Sequence, residues 1–327
     1  MGLEGTQKGP YWIEAAIGIG VHKGIESLLL GSTVDEAVRE AQKEWEQSTS
    51  SLDLGTNPLL SSQVREGGFL VEAFVMGWGM HRLPLFLSTY EVLTVEREIK
   101  VPLSSNVILY ARADVVVRER SNGAIWVFNH KTCKEWDQRD WFYDIQMITE
   151  GVAVQDDVRE DVAGIVVEGF YKGERRNGFF TTPLLYAYRS KAGVLKAGYT
   201  AGWEKLFIPD VMSISEWLAN PAFLAVIDVP FRRSSPITIS EAMVEKWLKT
   251  LVRRETEIEN ILSPDVPEED RLDFFTQRIT KKTCPWCPFE DICFERTTVE
   301  EMLKDGKLSE RKERRTRGAV DSGVGLS

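Results

Sequence analysis

The tetrapeptide Ser121-Asn122-Gly123-Ala124 separates two strand-like runs, residues 107–118 and 125–132, rich in Val, Ile, Leu and aromatic residues. Asn-Gly is the pair that best tolerates the backbone of a two-residue hairpin turn. So tight a turn fixes which residues share a face, because side chains alternate along a strand and cross-strand partners project together. With Ser121 facing Ala124, Asp114 falls opposite Lys131 and Val116 opposite Asn129, so Asp114, Asn129, Lys131 and Cys133 are expected on one face.

The rest of the chain supplies layers for such a hairpin. Helical periodicity covers residues 11–30, 33–46 and 64–78, and after Pro84 the period shortens to that of a strand over residues 90–101. A helix is expected over residues 139–154, a strand over 163–171 and a long charged helix over 240–261. Residues between 171 and 236 hold short apolar runs with Gly and Pro breaks and no repeat. The ending RKERRTRGAVDSGVGLS is basic, then rich in Gly and Ser, and reads as a disordered tail.

At 43% hydrophobic residues the 327-residue chain can bury a sizeable core, and it has no apolar run of the roughly 18 residues that cross a bilayer. The opening MGLEGTQKGP has no basic leader or apolar segment, so a cytoplasmic protein without membrane contact is expected. The net charge of -10 argues against a simple basic nucleic-acid binder, although an acidic protein can still carry a local basic groove.

An Asp and Lys facing each other across a hairpin can be no more than an ion pair. Other segments give the pair company. His22 and Glu26 in GVHKGIE lie four apart and share a helix face, Asp114 lies in ARADVVV, Lys131 in VFNHKT and Gln146 in DIQMITE. In this order the segments resemble the RecB-like branch of the PD-(D/E)XK nuclease superfamily, which includes phage exonucleases and the nuclease domains of AddB and CRISPR-associated exonucleases. The resemblance implies an α/β (α+β) fold with a restriction-endonuclease-like core, a mixed central sheet flanked by helices, and helical and C-terminal cysteine-containing additions. The implied organisation is a helical region 1–88, a core sheet and helix 89–172, an insertion and long helix 173–262, a cysteine segment 263–300 and a tail 301–327.

The same resemblance assigns roles. His22, Glu26 and Asp114 would hold Mg2+ or Mn2+, Lys131 would stabilise charge on the phosphate, and Gln146 would contact nucleic acid. His130, on the other strand face, is expected in the core. Two positions depart from the pattern. Asn129 stands where an acid is expected, and Glu150 where a tyrosine follows Gln146 by four. A neutral amide is a poor ligand for a hard cation. Three outcomes stay open: weakened catalysis, compensation by another carboxylate such as Glu96 or Glu98, or binding without cutting.

Three of the four cysteines, Cys284, Cys287 and Cys293, form a Cys-x2-Cys-x5-Cys cluster, and the fourth is Cys133. The spacing resembles the C-terminal iron–sulfur ligands of AddB-like and CRISPR-associated relatives. A [4Fe-4S] cluster, Zn2+ or no ion at all fits the four thiols. The function expected is metal-dependent cleavage of DNA, single-stranded or with free ends, in a prokaryotic or phage-infected cell, by an exonuclease acting beside a protein partner in a recombination or repair complex. The alternative is a weakened nuclease fold that grips DNA ends or a protein partner.

Overall fold

The computed structural model describes residues 3–5, 12–50, 52, 54, 57–102, 108–137, 144–173, 175–176, 179–261, 263, 265, 304 and 308–310. Two compact units emerge, residues 13–263 and a second one formed by residues 1–12 with 264–327. In the second, Leu3–Gly5 pairs antiparallel with Leu308–Glu310. Cys284, Cys287 and Cys293 lie outside the described residues, as does most of the expected tail.

The larger unit begins with helices α1 (Trp12–Leu29), α2 (Val34–Thr49), α3 (Pro58–His81) and α4 (Leu83–Thr89). Thr33 and Glu36 form a capping box at the start of α2, and Asn57 caps α3 ahead of Pro58. The apolar stripe Ile13, Ile17, Val21, Ile25 and Leu28 is buried along α1. Each such side chain contributes roughly 1.5–3 kcal/mol. Gly24 lets α1 and α3 come together, since a Cβ there would sit 2.3 Å from Val75 Cγ2.

Five strands form a mixed sheet: β1 (Tyr90–Pro102), β2 (Ile108–Glu119), β3 (Ile125–Cys133), β4 (Val162–Tyr171) and β5 (Phe231–Arg233), in the order β5-β4-β3-β2-β1. Only β3 and β4 run parallel, joined by a crossover through helix α5 (Ile145–Val158). Asp144 caps α5 by accepting from Gln146 N, and the expected start at residue 139 falls outside the described residues. Met147, Ala153 and Val154 of α5 pack on Val116, Val127 and Val167 of the sheet. On the opposite side Phe74 and Trp78 of α3 and Phe86 of α4 meet Phe128, His130 and Phe170. The sheet is therefore flanked by helices, as expected of a restriction-endonuclease-like core.

Helix α6 (Glu241–Ile261) lies against α5, where Trp247 Nε1 donates to Thr149 Oγ1 at 3.0 Å. Between β4 and β5 a small sheet of Glu204–Phe207, Tyr186–Arg189 and Leu195–Lys196 occupies the region without a sequence pattern.

The hairpin register differs from the sequence expectation. Val116 lies opposite Val127, not Asn129, and Arg118 lies opposite Ile125. The connection is a four-residue loop, residues 120–123, closed by Glu119 N to Ala124 O and Gly123 N to Glu119 O, both 2.8 Å. Only Gly123 takes a positive φ (78°), whereas a two-residue Asn-Gly turn needs both residues left-handed. Asn122 instead accepts from Ala124 N through its side chain at 2.9 Å. The paired register ends at Val115 and Phe128, and the Asp114 carboxylate accepts from His130 N at 2.7 Å beyond it. Asp114 thus does not lie opposite Lys131.

Candidate metal centre and active site

Helix α1 carries His22 to the end of β3, where its Nε2 lies 2.8 Å from the His130 carbonyl oxygen. A carbonyl only accepts, so Nε2 bears the proton. Nδ1 then faces two carboxylates, Glu96 Oε1 at 3.2 Å and Asp114 Oδ1 at 3.7 Å. In a neutral imidazole Nδ1 is a lone pair, and a lone pair aimed at two anions calls for a cation or a proton between them. Burial works against a charged His22, but the hydrogen bond to Glu96 and the charges of Asp114 and Glu96 outweigh it and raise the ring above its ordinary value. His22, Glu96 and Asp114 are the one group among the described residues whose ligand atoms could converge on a metal ion.

Glu96 reaches this position through its backbone. It takes a positive φ of 51° within β1, a costly conformation for a residue with a side chain, between the paired positions Val95 opposite Val115 and Arg97 opposite Ala113. Arg112 Nε, 2.9 Å away, holds its other oxygen. Burial raises the Glu96 carboxyl, yet His22 and Arg112 together bring it below the ordinary value. Glu98 is exposed and lies opposite Arg112.

A second chain of contacts leads from β3 to α5. Lys131 Nζ donates to Gln146 Oε1 at 3.1 Å, and Gln146 Nε2 donates to Glu150 Oε1 at 2.6 Å. Asn129 Nδ2 donates to the other oxygen, Glu150 Oε2, also at 2.6 Å. Asn129 is wholly buried, and its Oδ1 has no hydrogen-bond partner among the described residues. Burial and the charge of Asp114 push the Glu150 carboxyl up to about 7, against the pull of Gln146, Lys131 and Asn129.

Glu26 does not join His22; its carboxylate pairs with Lys23 at 2.9 Å, one turn along α1. His130 is buried among Trp78, Phe170 and His22, 3.4 Å from Glu168. Cys133 is a half-buried free cysteine whose thiol burial pushes up to about 11, despite Lys172 and Arg232 nearby. Sequence reasoning named Glu96 only as one of two substitutes and gave Glu150 no role. A sequence signal for Glu150 existed, in that the acid missing at position 129 and the extra acid at 150 occur together.

The family model of the PD-(D/E)XK nuclease superfamily matches residues 3–294. The chain belongs to that superfamily. No curated protein matches it in a sequence comparison. PD-(D/E)XK nucleases use divalent metals, and the donor set here fits one: an imidazole nitrogen and two carboxylates, with the other imidazole nitrogen already committed. Among the described residues no helix is long and apolar enough to cross a membrane.

Proposed function

We propose that this PD-(D/E)XK protein is a divalent-metal-dependent deoxyribonuclease of the RecB-like branch, an exonuclease acting on DNA that is single-stranded or has free ends. The observation that carries the reading is His22 Nδ1, Glu96 and Asp114 facing one another beside the strand that bears Lys131. These three side chains would hold Mg2+ or Mn2+. The ion, when bound, supplies Lewis acidity toward the scissile phosphodiester.

The chain's own groups do the rest. The carbonyl of His130 and the hydrogen bond from its N–H fix His22 and Asp114 respectively, so both are oriented by the backbone of the residue preceding Lys131. Lys131, steadied by Gln146, offers a positive charge where negative charge grows on the phosphate. Gln146 sits at the first turn of α5 and is exposed, which leaves it open to a nucleic-acid strand.

Purified protein tested with Mg2+ and Mn2+ on single- and double-stranded DNA checks this. We expect metal-dependent hydrolysis that Asp114→Asn and Lys131→Ala abolish. Cleavage by Lys131→Ala at the wild-type rate would overturn the site. A second reading, DNA-end or partner binding without cutting, draws on the buried neutral amide of Asn129. It predicts DNA retention in a gel shift with no product under any metal.

A further inference from the structure

We infer that the carboxylate absent from β3 is supplied from α5, with Glu150 carrying beside Lys131 the negative charge that Asn129 cannot. The inference rests on the metal-dependent reading above. Asn129, two residues before Lys131, and Glu150, four after Gln146, are 21 positions apart in sequence and in direct contact. Asn129 spends its amide hydrogen on Glu150 and so holds the helix carboxylate at the place on the sheet from which a strand acid would act. Gln146 holds the other oxygen and also holds Lys131, so the ammonium and the carboxylate share one bridging amide.

A purely structural part would not call for a charge there. Glu150 is 2% exposed, and both hydrogen bonds that reach it come from neutral amides, an arrangement that an amide side chain could satisfy without the desolvation cost of an anion. The nearby Asp114 charge adds repulsion. A cation at His22, Glu96 and Asp114 would relieve that repulsion, so the two features make electrostatic sense together.

The test is a charge swap, read by Mn2+ binding in electron paramagnetic resonance and by DNA cleavage, on the full chain. Glu150→Gln should weaken Mn2+ binding by about tenfold or more and lower cleavage at least as far. Asn129→Asp alone should gain nothing, because it sets a second anion against Glu150. The double variant N129D/E150Q moves the charge to the strand and keeps the hydrogen bond, and we expect it to recover Mn2+ affinity to within about threefold of wild type. If Glu150→Gln binds Mn2+ and cuts like wild type while Asp114→Asn does neither, the inference falls and the metal centre stands. Folded Glu150→Gln with lost affinity that N129D/E150Q does not restore would likewise overturn it, assigning Glu150 to packing of α5. A wild type that binds no Mn2+ and cuts nothing removes the metal-centre reading, and the inference with it.

Discussion

His22 Nε2 lies 2.8 Å from the main-chain carbonyl oxygen of His130, so this ring nitrogen is unavailable to any ion and Nδ1 is turned toward Glu96 and Asp114. The carbonyl belongs to a buried strand residue and cannot swing away. We expect His22→Ala to weaken Mn2+ binding by at least about tenfold, roughly 1.4 kcal/mol. Titration by calorimetry checks it, and wild-type affinity in the variant would mean that Nδ1 holds no ion.

Glu96 and Glu98 lie two residues apart, but only Glu96 meets His22. Glu96→Gln is expected to lose metal binding and cleavage together, again by about tenfold or more. Glu98→Gln, on an exposed side chain, should leave both within about twofold of wild type. The reverse pattern would assign the ion to Glu98 and leave Glu96 as an ion-pair partner of His22 and Arg112 alone.

Burial of Glu150 beside Asp114 gives stability a pH dependence whose sign follows from its raised carboxyl. Its carboxyl is raised from 4.5 in the unfolded chain to about 7 in the fold, so the folded state favours the proton. Its contribution is intact below about pH 4.5 and is lost as pH rises through 7, with a ceiling of roughly 3 kcal/mol. Without metal, Glu150→Gln should therefore match wild type in urea unfolding near pH 4.5 and become relatively more stable toward pH 8. A constant difference across that range would mean that Glu150 ionises in the fold as it does in the unfolded chain.

The seat of α1 is tested at Gly24. Its missing side chain leaves the space that Val75 fills, with a Cβ falling 2.3 Å from Val75 Cγ2. Gly24→Ala should cost about 1–3 kcal/mol through overpacking, seen as a lower melting temperature. Because His22 rides on the same helix, Mn2+ affinity should fall with it. Trimming the partner in Gly24→Ala/Val75→Ala should recover part of both.

The layered fold was legible because its helices and central strands are long enough to show their period: the stripe from Ile13 to Leu28, the runs of β2 and β3, and Glu241–Ile261 each repeat several times. The small sheet of Tyr186–Arg189, Leu195–Lys196 and Glu204–Phe207 was not, since two to four residues cannot display a period. Strand parity placed Asn129 and Lys131 on one face correctly, as both reach α5. The loop length went astray because the same Asn-Gly pair serves a two-residue turn and a four-residue one, and only the backbone angles distinguish them.

Within the proposed site, the sequence by itself determined the types and order of the candidate groups: His22, Asp114, Lys131 and Gln146 stand in recognisable segments. Which carboxylates join them was a matter of tertiary structure. Glu26 shares a helix face with His22, yet Lys23 is its partner. Glu96 enters from a strand 74 residues away through a single left-handed residue, and Glu150 reaches Asn129 across the interface between helix and sheet. Short-range periodicity reports neighbours along one element, whereas a cluster of charges is decided by where separate elements are packed, and that depends on contacts such as Gly24 with Val75 that no local pattern announces.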